Sequence, residues 1–328
     1  MKAGWYNQYG AAHDVIQIGE VATPIAAENE VRVRLFASGI NPSDVKKRAG
    51  LRGAMPERRI IPHSDGAGVI DQVGVGVDTS RIGERVWVFN GQHERPFGTA
   101  AEYITLPQTQ VVPLPANVTF AEGACLGIPA MTAHRCLFSD GPIADQSVLV
   151  TGGAGAVGHY AIQLAKWARA TVITTVSSTQ KGDHARHAGA DFIINYHTED
   201  VVDKIMEISG RAGVDRIIEV DFGGNLPVSQ AILKNNGTIA AYASMGDVEP
   251  ALPFYPLMFN NISLRLALVY NMPQAAKEQA GKDILQAIKD GKLVHPIATQ
   301  FPLSQLAKAH EAVESGTYIG NVVVDIAG

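Results

Sequence analysis

Cysteine is scarce in this chain: Cys125 and Cys136 are the only two in 328 residues. Both fall on one expected helix, so they offer no disulfide framework and cannot build a cysteine-rich zinc site; they read as small buried hydrophobes. No basic run occurs either, and 27 Lys+Arg against 32 Asp+Glu leave a net charge of −5. That balance gives no electrostatic footprint for nucleic acid. No uncharged apolar stretch approaches the ~20 residues that span a bilayer. The N-terminal Met1-Lys-Ala-Gly-Trp-Tyr-Asn-Gln8 lacks the apolar segment of a signal peptide. A cytoplasmic protein with neither membrane nor nucleic-acid partner is expected. Length, by contrast, is ample: 328 residues exceed the ~250–300 at which one hydrophobic core stops growing, which points to two domains.

The most informative segment is Ser147-Val-Leu-Val-Thr-Gly-Gly-Ala-Gly-Ala-Val-Gly-His159, in which Gly153, Gly155 and Gly158 satisfy G-x-G-x-x-G. A β-branched run precedes it, an apolar-periodic helix expected over 159–170 follows, and then a second strand, 171–176. The first glycine would permit the turn out of the strand and the second a close approach to a pyrophosphate. The third would let the helix pack on the strand. Ala156 and Val157 complete this phosphate-binding turn, at the positive end of the helix dipole.

Around this motif the chain changes character. Residues 1 to about 120 hold short β-type runs, 31–36, 68–73, 85–89 and 101–105, punctuated by Gly and Pro, which predicts a mostly antiparallel domain. Thr119-Phe-Ala-Glu122 is a capping box opening a helix through about Phe138. Then strands 148–151, 171–176, 191–195, 214–219 and 238–243 alternate with helices 159–170, 180–188, 199–209 and 226–234. Gly189 caps one helix, and Asn236-Gly237 turns into the last strand. Such alternation predicts an α/β fold, a doubly wound parallel sheet of Rossmann type. From Ile262 come another β run, a helix 274–290, a helix initiated at Ser304 and a strand 321–326, expected to complete the first domain.

An NAD-preferring site usually has an acidic residue ~20 residues past the first glycine, facing the ribose hydroxyls. Here the chain has Ser177-Ser-Thr-Gln-Lys181. Hydroxyls and a lysine would hold a 2′-phosphate that a carboxylate would repel, so NADPH is the expected cofactor. The alternative is that Lys181 is a solvated first-turn lysine.

Five segments, Ser38-Gly-Ile-Asn-Pro-Ser-Asp44, Ile61-Pro-His-Ser-Asp-Gly-Ala-Gly-Val69, Leu126-Gly-Ile-Pro-Ala-Met-Thr-Ala133, the glycine turn and Ile217-Ile-Glu-Val-Asp-Phe-Gly-Gly-Asn225, occur in this order. The chain thereby resembles the medium-chain dehydrogenase/reductase superfamily, nearly end to end. Within it, the chain looks most like the zinc-free quinone reductases related to zeta-crystallin. The resemblance implies a GroES-like catalytic domain, 1–122 with 264–328, clasping a Rossmann NADPH-binding domain, 123–263. It also implies a quinone substrate.

Zinc-dependent relatives hold metal with a cysteine, a histidine and a further cysteine or acid. The matching places here are Asn41, Ser64 and Ile128, which cannot replace thiolate and imidazole, so no metal is expected. His63 beside Asp65 reads as a hydrogen-bonded pair, and His184 with His187 as a solvated helix face. Without a Lewis acid the chemistry would rest on positioning and on polar groups aimed at the developing oxyanion. Asn41 is the candidate for nicotinamide or substrate oxygen and Thr132 for the nicotinamide side. Ser43, Asp44, Ser64 and Asp65 are candidates for polar support. The resemblance further suggests Tyr196 near the 2′-phosphate, and Ser244 and Tyr270 along the cofactor groove; Trp87, Phe89 and Tyr242 read as core aromatics.

Three readings follow: an NADPH-dependent quinone reductase; another zinc-free member acting on enones, enoyl thioesters or alcohols; or an NADPH-binding protein without turnover. A short-chain dehydrogenase is disfavoured, because no tyrosine is followed four positions later by lysine. The β run Ile262–Tyr270 reads as an exposed edge strand, which the resemblance implies joins two copies into a homodimer; the alternative is that helix 274–290 covers the edge and leaves a monomer.

Overall fold

The computed structural model describes residues 1–53, 55 and 57–327. The chain forms two compact units, Met1–Pro129 with His295–Gly328, and Ala130–Val294. Residues 264–294 fall in the second of these. Among the described residues no helix is long and apolar enough to cross a membrane.

The first unit is built on a seven-stranded sheet. Its order is Ile297–Pro302, Asn321–Asp325, Glu30–Ile40, Asp65–Val73, Arg85–Val88, Val111–Pro113, with Tyr103–Pro107 also paired to Glu30–Ile40. All pairings are antiparallel except that of the two C-terminal strands. Glu30–Ile40 is its centre. Val31, Val33 and Leu35 alternate into the core while Arg34 faces solvent, the period-2 pattern of a half-buried strand. From Ala37 onward every residue is buried. Gly39 is needed there, since a Cβ would lie 2.0 Å from the Ala124 carbonyl oxygen. The C-terminal strand pairs Val322 with Ile40 and Val324 with Ser38.

Thr119 and Glu122 form the expected capping box, but the long helix expected to follow it is two helices, Phe120–Gly123 and Gly127–Phe138. Cys125 therefore lies between them rather than on one helix with Cys136. The break has a physical cause: the Gly127 backbone is drawn onto Asp65, whose Oδ1 would be 2.1 Å from an added Cβ. Both cysteines are buried, and burial raises both thiols, Cys136 to about 12.

The second unit holds a six-stranded, wholly parallel sheet. Its order is Phe192–Asn195, Thr171–Val176, Ser147–Val150, Val214–Glu219, Leu233–Ala241, Ser263–Leu266. This is the doubly wound Rossmann order, with its direction reversing between Ser147–Val150 and Val214–Glu219. Leu149, Ile173, Ile194, Ile217 and Ile239 from successive strands meet Ile205, Leu226 and Ile232 from the helices in one apolar cluster. Each such buried side chain contributes ~1.5–3 kcal/mol. Local boundaries differ from expectation where a tertiary partner intervenes. The helix after the glycine turn is Ala156–Trp167, starting before 159 because Gly155 is its N-cap. Asn236, with φ 64, sits inside the strand Leu233–Ala241 as an irregularity rather than a separate turn. The β run from Ile262 shrinks to Ser263–Leu266, and Val269–Asn271 forms a 3-10 turn.

Candidate active site and nucleotide-binding turn

Strand Glu30–Ile40 ends at Asn41, and Pro42, whose fixed φ suits a first helical position, opens the helix Pro42–Arg48. Three residues into it, Asp44 Oδ2 accepts the Asn41 backbone N–H at 2.8 Å. The Asn41 side-chain Nδ2 donates to Asp65 Oδ2 at 2.7 Å, and Ile128 N–H lies 2.9 Å from each oxygen of the same carboxylate. Asn41, Asp44 and Asp65 are all buried. Burial raises the Asp44 carboxyl to about 6, winning over the N–H bond from Asn41 and the charge of Lys47. It holds Asp65 well above the usual carboxylate range, against the bonds from Asn41 and Ile128. Ser64 is buried with its hydroxyl unpartnered, and Ser43 is half-buried on the first helical turn. Thus Asn41, Asp44 and Asp65 form one hydrogen-bonded set in the first unit. Thr132, buried on Gly127–Phe138, belongs to the second.

His63 does not pair with the Asp65 carboxylate. Its Nδ1 is 2.8 Å from Ser38 Oγ and its Nε2 is 2.9 Å from Nε2 of His310. Donor counting fixes the directions. Thr99 gives its only hydroxyl hydrogen to the Asp65 carbonyl at 2.6 Å, so Ser38 donates to Thr99 at 2.7 Å. Ser38 must then accept from His63 Nδ1–H, which leaves His63 Nε2 to accept from His310. His63 is consequently neutral with its hydrogen on Nδ1, and burial pushes both rings below the ordinary histidine range, His63 to about 3. His310 arrives on the C-terminal helix Leu306–Ser315, 247 residues from His63 in the chain, a distance over which the sequence carries no pairing signal. His187 is exposed as expected, but His184 is half-buried, its ring 4.4 Å from that of His159.

In the second unit the glycine turn follows Ser147–Val150. The left-handed residue is Gly152, φ 66, a position the motif reading passed over although it adjoins Gly153 in the sequence. Gly153 serves a different need, because a Cβ there would meet Thr174 Oγ1 at 2.0 Å. At Gly158 a Cβ would strike the Gly152 carbonyl oxygen at 2.4 Å, which is the close helix-on-turn packing the motif predicts. Exposed Gly155 has only that carbonyl near it, at 3.3 Å. The turn thus leaves space over the helix start, where Ala156 and Val157 are half-buried.

Beyond the second strand, Lys181 Nζ donates to Ser177 Oγ at 2.9 Å, and the Tyr196 N–H donates to the Val176 carbonyl at 3.1 Å. The structure therefore brings Ser177, Lys181 and Tyr196 to one strand end. Ser244 accepts the Gly223 N–H at 2.9 Å, and Tyr270 is buried in the Val269–Asn271 turn. Glu219, which sequence reading did not single out, ends the strand Val214–Glu219 fully buried. Its Oε1 accepts from Thr151 Oγ1, Asn225 Nδ2 and the Asp221 N–H at 2.7–2.8 Å, tying the start of the glycine turn to the first turn of the helix Phe222–Ile232.

The comparisons with known proteins agree with this architecture. Residues 27–116 match the alcohol dehydrogenase GroES-like domain and residues 156–286 the zinc-binding dehydrogenase domain. A quinone oxidoreductase of Rattus norvegicus is 30% identical over 99% of this chain and 97% of its own length. Among solved structures, a mycobacterial quinone oxidoreductase superposes with a TM-score of 0.88 at 25% identity, covering 99% of this chain and 100% of its own. A 2-haloacrylate reductase superposes with 0.87 at 26% identity over the whole of both chains. The chain is thus an oxidoreductase with the medium-chain dehydrogenase/reductase architecture. It belongs to the quinone oxidoreductase family.

One matched domain is named for zinc, and the residues here do not fit that metal. Asn41, Ser64 and Ile128 supply neither thiolate nor imidazole, and both nitrogens of the neighbouring His63 are bonded to Ser38 and His310.

Proposed function

We propose that the chain is a zinc-independent, NADPH-dependent quinone oxidoreductase acting in the cytoplasm as a homodimer. The observation that carries the reading is the Asn41–Asp65 hydrogen bond. An asparagine amide has two N–H hydrogens. Asp65 takes one, which stops the amide from rotating and leaves the second to point at an acceptor oxygen. When NADPH is bound it supplies the electrons. As a quinone carbonyl becomes a phenolate, the preset Asn41 donor stabilises the developing charge without having to reorganise. Asp44, with its carboxyl raised to about 6, is mostly ionised at neutral pH and accepts the Asn41 backbone N–H, which fixes the end of the strand that carries this donor. Thr132 is assigned to the nicotinamide, and Gly153, Gly155, Ala156, Val157 and Gly158 to the pyrophosphate. Ser177, Lys181 and Tyr196 are assigned to the 2′-phosphate, and Ser244 and Tyr270 to the remainder of the cofactor. The likeness to a 2-haloacrylate reductase favours one alternative, reduction of an activated carbon–carbon double bond on the same site.

The test is a set of steady-state rates with NADPH and a quinone, an enone and an alcohol series, before and after exhaustive chelation. Quinone reduction that leads the series and survives chelation is expected. Stoichiometric zinc whose removal abolishes turnover, or no quinone reduction at all, would overturn the proposal.

A further inference from the structure

His63 is left-handed, with φ +75, although it carries a Cβ and is fully buried in the first unit. Glycine adopts that conformation without steric cost, whereas a histidine is held there only by its surroundings, and strain kept in this way points to a use. Those surroundings are hydrogen bonds. Each carbonyl from Pro62 to Asp65 has a donor: in order, Ala100 N–H at 3.2 Å, Thr99 N–H at 3.1 Å, Gly91 N–H at 2.9 Å and Thr99 Oγ1 at 2.6 Å. The His63 ring adds two bonds that a glycine could not make, to Ser38 at 2.8 Å and to His310 at 2.9 Å.

The side-chain bonds run in one direction. His310 donates to His63, His63 to Ser38, Ser38 to Thr99 at 2.7 Å, and Thr99 to the Asp65 carbonyl. All five residues are buried. The far end of the chain is a fixed anchor, because Leu306, Ala309 and Ala312 of the helix that carries His310 share one core with Val33 and Leu35 of the central strand. At the near end only Ser64 separates His63 from Asp65, so a change of backbone angle at His63 reaches Asp65 through two rigid peptide planes. Gly66 beyond it is closely packed, a Cβ there lying 3.0 Å from both Leu35 and Thr99. The carboxylate carried by this segment is the one that takes the Asn41 side-chain N–H at 2.7 Å.

We propose that His63 and His310 are positioning residues for the reduction: the chain from His310 to the Asp65 carbonyl sets the Asp65 carboxylate, and through it the second Asn41 N–H, at the angle that meets the acceptor oxygen. The catalytic consequence rests on the function proposed above; the effect on Asn41 does not. A hydrogen bond weakens steeply as its angle closes, and a misplacement of about 1 Å can lower turnover as much as ~100-fold.

The experiment measures kcat and KM for 1,4-naphthoquinone, and NADPH affinity, in His310→Phe, His310→Gln and Ser38→Ala, each alone and combined with Asn41→Ala. His310→Phe removes the donor to His63, and Ser38→Ala cuts the chain at its middle. The glutamine amide, whose nitrogen is as many bonds from Cβ as histidine Nε2, still donates. His310→Phe and Ser38→Ala should lower kcat about tenfold with KM and NADPH affinity unchanged, and His310→Gln should restore most of it. In the Asn41→Ala background the same changes should have no further effect on kcat, the non-additivity of residues that act through one another. If His310→Phe fails to fold, Ser38→Ala carries the same comparison. A loss carried by KM or NADPH affinity, equal fold-losses in both backgrounds, or unchanged kcat in the folded single variants would overturn the proposal. If the wild type reduces no quinone the functional proposal falls, and the Asn41 side-chain amide resonance, assigned by its loss in Asn41→Ala, decides the positioning. It should shift in His310→Phe and Ser38→Ala and return in His310→Gln, and an unmoved resonance would refute the positioning role.

Discussion

Asn41 Nδ2 meets Asp65 Oδ2 at 2.7 Å on a carboxylate that Ile128 N–H also approaches, so three segments far apart in sequence converge on one buried acid. Asp65→Ala would strand two buried N–H donors, each costing ~1–3 kcal/mol. A fall in melting temperature of roughly 5–10 °C is expected. Quinone turnover should drop by more than tenfold as Asn41 loses its orientation. Calorimetry and kcat check this, and unchanged turnover in a folded variant would remove Asp65 from the site.

The His63–His310 bond makes stability depend on pH. Both imidazoles sit below the ordinary 6.5 in the folded protein, His63 at about 3. The unfolded chain therefore binds protons first on acidification, and the contribution present above pH ~6.5 is lost as pH falls toward 3. His310→Phe leaves His63 Nε2 without its donor and should cost ~1–3 kcal/mol at pH 7. It should also flatten the acid limb of the stability curve. Denaturant titrations between pH 4 and 8 decide, and parallel wild-type and variant curves would show that the pair does not titrate on unfolding.

Lys181, 2.9 Å from Ser177 at the second strand's end, should distinguish the two nicotinamide cofactors. Lys181→Ala is expected to weaken NADPH about ten- to hundredfold, the ~1.5–3 kcal/mol of one charge-assisted bond, and to leave NADH nearly untouched. Titration calorimetry with each cofactor reads the difference directly. Equal losses for both would make Lys181 a general surface lysine.

Ser263–Leu266 is the last strand of the six-stranded sheet, and Leu264, Leu266 and Leu268 are 38, 76 and 56% exposed. Exposed leucines on an edge strand invite pairing with another chain. Light scattering at micromolar concentration should give twice the single-chain 34.9 kDa. Leu266→Pro, which removes a ladder donor, should return it to the monomer value. A monomeric wild type would refute the dimer.

Much of this architecture was legible because its signals act within a few residues. Period-2 burial in Glu30–Ile40, the capping box at Thr119, and the alternation that yields the parallel sheet are all local consequences of side-chain spacing. So is the glycine turn, since backbone freedom and helix capping depend on immediate neighbours.

Other features depended on which surfaces meet. Periodicity alone continues the helix from Thr119 to Phe138, yet contact with Asp65 breaks it at Gly127. Asp65 stands next to Ser64 and two residues from His63, yet it bonds to Asn41 and Ile128, while His63 turns to His310. Nothing local announces such pairings. By itself the sequence determined the kinds of elements, their order and the nucleotide turn. Only the tertiary structure decided the partners of Asp65 and His63, because a buried polar group takes whatever donor or acceptor the packed fold brings within ~3 Å.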